Sequence, residues 1–226
     1  MIDVLFEGLH ENQFFPDGHY HIEPLRSSVT LIRKGGLNIL FDTSSMAYAD
    51  LLVAELKKRG LAPKDIHHVF NSHYHLDHCF NDYLFAKTAL IHTYNATIFP
   101  NGSVDIYPNP DLRLLPSFLK TLKTPGHTGS DMSLIYRCDG ETWVLAGDAV
   151  REDFIRQEAP LSAENKKTFF ENMKVVFQSG DVIVPGHGRV IRGEVKKELE
   201  GLLERWPVEK LEKGCGGCRN SLKTLT

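Results

Sequence analysis

The chain has 226 residues, and its apolar (42%) and charged (24%) fractions are those of an ordinary globular protein. The formal net charge of -3 gives no general attraction to nucleic acid, although local basic patches remain possible. Four cysteines are too few for a disulfide framework in a chain of this length. These values argue against a disulfide-rich secreted scaffold and favour one substantial globular domain.

The apolar residues are distributed without any run that approaches the roughly 20 residues of a membrane helix. The first residues also lack the basic and then apolar pattern of a signal peptide. We therefore expect no membrane partner and a cytoplasmic location, in which the cysteines stay reduced.

The first half of the chain alternates strand and helix patterns. Residues 1–8 predict a strand, and the Gly-, Pro- and aromatic-rich residues 10–24 predict a long mobile loop. Residues 27–43 predict a hairpin that turns at two glycines. An amphipathic helix is predicted at 48–60, and a strand at 66–72.

The second half repeats this pattern loosely. Strands are predicted at 89–94, 118–127, 131–148 (two strands joined by Asp139-Gly140) and 181–188. Helices are predicted at 162–180, with Ser162 as N-cap, and at 193–206. No linker divides the chain, so we expect a single domain over residues 1–212. A tail over residues 213–226 then carries a lone Cys-x-x-Cys pair, Cys215 and Cys218.

The loop after the strand at 66–72 carries three histidines and an aspartate within six positions: His73, His75, Asp77 and His78. Imidazole nitrogens and carboxylate oxygens are ordinary ligands of zinc, iron and manganese. Three further candidates each follow a predicted strand, and two of them follow a Pro-Gly pair: His127, Asp148 and His187. The pattern therefore predicts a metal site assembled from separate strand ends.

These seven residues, in this order, resemble the ligand set of the metallo-β-lactamase superfamily, and the resemblance extends from the hairpin at 27–43 to the "VPGHG" segment. It implies an α/β fold, a four-layer αββα sandwich in which two mixed sheets lie face to face with helices outside. It also implies two divalent metal ions, zinc first, with iron or manganese as alternatives.

The same resemblance distributes the ligands between two metals. It assigns three histidines to the first metal: His73, His75 and His127. It assigns a mixed set to the second metal: Asp77, His78 and His187. Asp148 would bridge the two metals, and Asp42 would either orient a ligating histidine or simply end its strand as a turn residue.

Such a site implies a hydrolase in which a metal-bound hydroxide cleaves a small ester, thioester or lactone. Asp77 is the candidate catalytic residue, because a carboxylate beside the water could help to move its proton. Antibiotic hydrolysis is not expected, since true β-lactamases of the superfamily generally lack the aspartate matched by Asp148. The segment after His187 is also too short for the helical glutathione-binding domain of glyoxalase-II-type thioesterases.

Two alternatives remain open: a nuclease or phosphodiesterase that uses the same site, and a mononuclear iron oxidoreductase similar to persulfide dioxygenases. A small-molecule substrate is the first expectation for a partner, a nucleic acid is the second, and the sequence does not indicate an oligomeric state. Residues 11–24 could form a flap over the substrate or a surface loop. Arg151 stands where related lactonases usually have a tyrosine, and it could bind an anion or face solvent.

Several remaining residues are expected to have structural roles. Four further histidines are predicted to be structural or solvent-facing: His10, His67, His68 and His92. Cys79 is predicted to pack as a small apolar side chain, with a redox-sensitive thiol as the alternative.

Overall fold

The computed structural model describes residues 1–108, 115–156 and 163–206. Within these ranges the strands are, in chain order, β1 (Ile2–Phe6), β2 (Leu9–Phe14), β3 (Tyr20–Arg26), β4 (Val29–Lys34), β5 (Leu37–Phe41), β6 (His68–Phe70), β7 (Leu90–His92), β8 (Ala96–Ile98), β9 (Val104–Ile106), β10 (Leu119–Lys123), β11 (Met132–Cys138), β12 (Glu141–Gly147), β13 (Val182–Pro185) and β14 (Ile191–Arg192). The α-helices there are α1 (Ala49–Lys58), α2 (Leu76–Cys79), α3 (Glu152–Ile155), α4 (Lys166–Ser179) and α5 (Gly193–Glu204), and short 3-10 helices lie at Met46–Tyr48, Pro63–Asp65 and Phe80–Leu84.

Two mixed sheets contain most of these strands. The first sheet has the order β1-β4-β5-β6-β7-β8-β9, and the second has the order β10-β11-β12-β13-β14. Strand β6 runs parallel to β5 and β7, and β12 runs parallel to β13. Because parallel strands end at the same edge of a sheet, the loops after β12 and β13 emerge side by side.

Alternating side chains place each sheet between two apolar layers. Leu31 of β4 packs in the cluster that includes α1, whereas the next residue, Ile32, packs in the cluster between the sheets. In β13, Ile183 packs against α4 and α5, and Val184 faces the other sheet. Since successive strand residues point to opposite faces, the order of layers is helix, sheet, sheet, helix. This confirms the predicted αββα arrangement.

The segment predicted as a long loop forms a two-stranded hairpin instead, so that prediction is wrong. Strands β2 and β3 pair antiparallel, with Phe14 opposite Tyr20 and Asn12 opposite Ile22. Pro16 and Gly18, which suggested a loop, lie at the tip, where Gly18 has a φ of +91°, whereas Pro24 lies within β3. The aromatic residues on either side of the tip favour a strand.

The start of α4 also differs from the prediction. Asn165, rather than Ser162, is the N-cap, and its side chain accepts a hydrogen bond from the backbone N–H of Thr168 at 3.0 Å. Asn165 directly precedes the first helical residue, which is the position that an N-cap needs. Ser162, Cys215 and Cys218 lie outside the described residues.

None of the helices within the described residues is long and apolar enough to span a membrane.

A buried histidine pair between β6 and β7 makes the stability of the fold depend on pH. His68 Nδ1 lies 2.9 Å from His92 Nε2, and His92 Nδ1 lies 3.1 Å from the Thr97 hydroxyl. Burial, and secondarily the neighbouring His68, lowers the pKa of His92 to about 3. Burial also lowers the pKa of His68. The unfolded chain therefore binds these protons at a higher pH than the folded protein does.

We expect the contribution of His92 to stability to be complete above pH 6.5 and to fall as the pH drops towards about 3. The loss is at most about 1.4 kcal/mol of unfolding free energy per pH unit for each such group. Urea unfolding of the wild type and of His92→Gln at pH 7, 6 and 5 measures it. The variant should show a shallower pH dependence, and parallel curves would contradict the assignment.

Candidate metal centre

The first half of the centre lies in the loop that follows β6. His73 is buried beneath this loop, and helix α2 then turns the chain back within a single turn. As a result His78 is fully buried, whereas His75 remains exposed at the surface of the site. The short helix therefore lets ligands separated by only five positions approach one point from different sides.

The second half lies at the ends of β12 and β13. Gly147 has a φ of +52°, and the chain then turns to place Asp148, which is buried, over the loop after β6. A Cβ on Gly186 would overlap Asp148 Oδ1 and come within 2.7 Å of His78 Cε1. Glycine at 186 therefore lets the backbone pass close enough to place His187 at the centre.

Ligand-type atoms from these loops form three overlapping groups, and within each group the atoms lie within 4.8 Å of one another. The first group consists of His73, His75 and His127. The second group consists of Asp77, His78 and His187. A third group, His73, His78 and Asp148, shares one histidine with each of the other two. All seven predicted site residues therefore lie close together, and six of them fall in the first and second groups.

Asp148 lies between the two groups and contacts both. Its Oδ2 is 3.4 Å from Nε2 of His127. Its Oδ1 is 3.3 Å from Nε2 of His78 and 3.5 Å from Nε2 of His187. Each carboxylate oxygen thus faces a different group, which is the placement that a bridging ligand needs.

Hydrogen bonds from outside the groups fix two of the histidines. Asp42 Oδ2 lies 2.8 Å from Nδ1 of His78, and Asp42 also accepts bonds from the backbone N–H and hydroxyl of Ser72. His187 Nδ1 lies 3.0 Å from the carbonyl oxygen of Arg26, at the end of β3. When Nδ1–H donates to these oxygens, Nε2 is left as the unprotonated, ligating nitrogen.

Several buried atoms in the centre have no hydrogen-bond partner within the described ranges. They are Nε2 of His73, Nε2 of His78, Nε2 of His187 and Oδ1 of Asp148. Buried polar atoms are nearly always paired in folded proteins, so a concentration of unpaired ligand-type atoms requires an explanation. Nitrogen and carboxylate ligands at mutual distances below 4.8 Å fit divalent metal ions.

The electrostatic state of these side chains also suits cations. Burial lowers the pKa of His73 well below its ordinary value and lowers the pKa of His75 as well, so both rings are neutral at pH 7. Burial alone would raise the pKa of Asp148, but the charges of the neighbouring imidazoles, His187 first, lower it well below its usual range. His78 differs, because the carboxylates of Asp148 and Asp42 outweigh burial and raise its pKa well above the ordinary value. A bound cation would take the place of this proton, since neutral imidazoles and ionised carboxylates are the forms that bind metal.

A cavity of about 530 Å³ opens directly onto the centre. One wall is apolar and is contributed largely by the β2–β3 hairpin: Phe14, Tyr20, Ile22, Leu25 and Phe154. Polar residues complete the wall: His10, Asn12 and Arg151. Residues of the two metal-ligand groups form the floor. The hairpin therefore covers the site, as the flap alternative for residues 11–24 expected.

The cavity corrects two sequence-based predictions. Arg151 does not face solvent, since it is only 4% exposed, and His10 is a cavity residue whose ring lies 4.9 Å from that of His187. Both depend on contacts between distant segments, so the local sequence carried no signal for them. His68 and His92 are buried structural residues as predicted. Cys79 is partly exposed, and its thiol donates to the carbonyl oxygen of His75.

The root of the hairpin is joined to the loop that carries His187. Gly8 and Gly188 form a β-bridge, and the N–H of Ser28 donates to the carbonyl of Gly186 at 2.7 Å. A Cβ on Gly8 would overlap the Gly186 carbonyl oxygen, so the two backbones touch. The structure that covers the cavity is thereby fixed to the centre itself.

Replacing Asp42 by asparagine tests the orientation of His78. We expect zinc affinity to fall about 10- to 100-fold, because the amide is uncharged and keeps only one oxygen to accept from both Ser72 and Nδ1–H of His78. Zinc competition with a chromogenic chelator measures the affinity, with Asp105→Asn, an exposed carboxylate on β9, as the matched control. Unchanged affinity in Asp42→Asn would show that this contact does not support metal binding.

Comparison with known proteins agrees with this geometry. Residues 22–99 match the sequence profile of the metallo-beta-lactamase superfamily. The chain is 37% identical over 174 residues to metallo-beta-lactamase domain-containing protein 1 of Xenopus laevis, covering 73% of this chain and 72% of that protein. It is also 26% identical over 162 residues to an N-acyl homoserine lactonase of Bacillus cereus, covering 63% of this chain and 64% of the lactonase.

A solved structure shows the same fold. A candidate metallo-beta-lactamase from Thermotoga maritima superposes with a TM-score of 0.63 at 19% identity, covering 85% of this chain and 98% of that one. Sequence and fold therefore agree, and the chain belongs to the metallo-β-lactamase superfamily.

Proposed function

We propose that this protein is a hydrolase with two divalent metal ions, zinc first, that cleaves a small ester, thioester or lactone. The observation that carries the proposal is the pair of three-residue groups on either side of Asp148, open to a largely apolar cavity. Family membership supports metal-dependent hydrolysis in general. The similarity to a protein named as a lactonase supports an acyl substrate.

Bound metal ions would supply an activated water at neutral pH and would polarise the substrate carbonyl. The side chains of this protein hold the ions and position the substrate. Asp148 offsets part of the cationic charge. Asp77 lines the cavity, and its Oδ2 lies 3.2 Å from Nε2 of His187. The contact with His187 and the charge of His78 outweigh burial and lower the pKa of Asp77, so it is an ionised proton acceptor on the cavity side.

The two alternatives have less support. A nuclease needs a basic path for the phosphate backbone, but Arg151 is the only lysine or arginine among the described residues that line the cavity. A mononuclear iron enzyme would use the first group alone and would leave Asp77, His78 and His187 without a role, although they are assembled equally well. Evidence for either alternative in the activity screen would therefore count against the hydrolase proposal.

A metal-quantified activity screen tests the proposal. The purified protein is stripped with a chelator, reloaded with zinc, manganese or iron, and analysed for bound metal per chain. Each form is then assayed with phenyl esters, thioesters, lactones, phosphodiesters and RNA. We expect two zinc equivalents per chain, hydrolysis of acyl substrates, and loss of activity on chelation. One iron per chain, or cleavage confined to RNA or phosphodiesters, would refute the proposal.

A further inference from the structure

Arg151 is a buried cation in the cavity wall, three residues beyond Asp148. Its side chain is 5% exposed, and its Cζ lies 4.5 Å above the centre of the Phe154 ring. Nε donates to Asp153 Oδ1 at 3.1 Å, and Nη2 donates to Asp153 Oδ2 at 2.7 Å. Stacking and this two-point contact hold the guanidinium in one orientation.

The third nitrogen of the guanidinium, Nη1, is left for another partner. It lies 3.9 Å from Asp148 Oδ2, beyond hydrogen-bond distance, and no described residue accepts a hydrogen bond from it. On the opposite edge, Nη2 approaches His10 Nδ1 at 3.4 Å. A donor whose orientation is fixed, on a residue that lines the cavity beside Asp148, is placed to meet a substrate atom.

The charges around Arg151 indicate which kind of atom it meets. Asp153 takes two donors of the guanidinium and offsets its charge, so Arg151 is not a free cation. Because Asp153 already offsets the guanidinium charge, a neutral carbonyl oxygen is a sufficient acceptor at Nη1. The residues that line the cavity also include apolar side chains, among them Phe14 and Ile22.

Building on the hydrolase function above, we infer that Arg151 is a specificity-determining residue whose Nη1 donates to an uncharged carbonyl oxygen of the substrate, other than the carbonyl that is cleaved. The substrate class is then an ester, thioester or lactone that carries a second neutral carbonyl near the reacting group. Its apolar chain lies against Phe14, Ile22 and Phe154 of the cavity wall.

Three phenyl esters of similar length test this inference on the zinc-loaded protein. The ester of N-hexanoylglycine has a second neutral carbonyl, the octanoate ester has none, and the 3-carboxyoctanoate ester carries a carboxylate at the position of that second carbonyl. We expect Arg151→Met to lower kcat/KM for the first ester by about tenfold or more, mainly through KM, since one buried hydrogen bond is lost. The octanoate ester should change by less than about threefold. Arg156→Met is the control, since Arg156 pairs with Glu152 and Glu198 away from the cavity.

A second variant tests the charge argument separately. In Asp153→Asn the guanidinium charge is no longer offset, so the 3-carboxyoctanoate ester should gain at least about fivefold in kcat/KM relative to the octanoate ester. No such gain would refute the role given to Asp153. A loss of turnover in Arg151→Met that is equal for all three esters would refute the specificity role and assign Arg151 to the support of Asp148. A loss confined to the 3-carboxyoctanoate ester would identify an anion site instead.

Binding without turnover separates this inference from the hydrolase proposal. Calorimetric titration of the zinc-loaded protein with N-hexanoylglycinamide and with octanamide requires no cleavage. We expect tighter binding of the first amide, and we expect Arg151→Met to remove the difference while metal content stays the same. If no ester is hydrolysed but this difference is found, the hydrolase proposal fails and the inference stands. Equal binding of the two amides by the wild type would refute the inference.

Discussion

Asp148→Ala is expected to reduce bound zinc from two equivalents to one or fewer. It should also lower kcat/KM at least about a thousandfold, since metal-ion stabilisation of the reacting charge is worth several kcal/mol. The reason is its position. Oδ2 faces His127 of the first group, and Oδ1 faces His78 and His187 of the second. Removing the side chain leaves both groups without their shared anion, so the repulsion between two bound cations would no longer be offset.

The measurement combines elemental analysis with the preferred substrate from the activity screen. Asp105→Ala removes an exposed carboxylate from β9 and serves as the control, because it changes the net charge equally without touching the centre. Thermal unfolding of both variants checks that the fold persists. An Asp148→Ala protein that keeps two zinc ions and near-normal turnover would show that Asp148 does not bridge them.

His75→Ala is expected to empty the first group selectively and to abolish activity. His75 is the one exposed histidine among the seven residues, and its Nδ1 lies 3.0 Å from Nε2 of His127. Its loss leaves only two histidines in the first group, fewer than the three protein ligands of an ordinary catalytic zinc site. Because the ring is exposed, its removal leaves no cavity in the core, and the effect should be chemical rather than structural.

Elemental analysis should find about one zinc equivalent in His75→Ala, compared with two in the wild type. His67→Ala is the matched control, since His67 lies before β6 and accepts a hydrogen bond from the Asn38 backbone far from the cavity. Full turnover in His75→Ala would overturn the assignment of the first group. Full metal content without turnover would show instead that His75 acts on the substrate.

The residues that the structure brings together as candidate ligands could be predicted from the sequence because their signals are local. His73 to His78 crowd one short segment, and the Pro-Gly pairs before His127 and His187 mark sharp turns at strand ends. Asp42 could be placed at the end of its strand, but the sequence could not decide between a turn residue and a partner of His78. That choice depends on the packing of β5 beside β6, which brings the two side chains to 2.8 Å.

The cavity wall was not predictable in the same way. Residues 10–24 contain glycine and proline, which are typical of a loop. Only the pairing of β2 with β3 shows that most of this segment forms two strands and that the tip is confined to residues 15–19. The burial of Arg151 depends on Asp153, Phe154 and His10, the last of which is 141 positions away in sequence. Long-range packing of this kind overrides the general tendency of arginine to be exposed. The candidate metal ligands could thus be identified from the sequence, whereas the residues of the cavity wall, Arg151 among them, could not.

The root and the tip of the β2–β3 hairpin differ in how much sequence change they can accept. The root, where Gly8 meets Gly186 and Arg26 accepts from His187, tolerates little alteration, because any shift there displaces a ligand. The tip around Gly18 lies at the far end of the same two strands and makes no contact of this kind. Because Gly18 and Tyr20 line the cavity, a change in the length or composition of the tip would alter the entrance without displacing a residue of the centre.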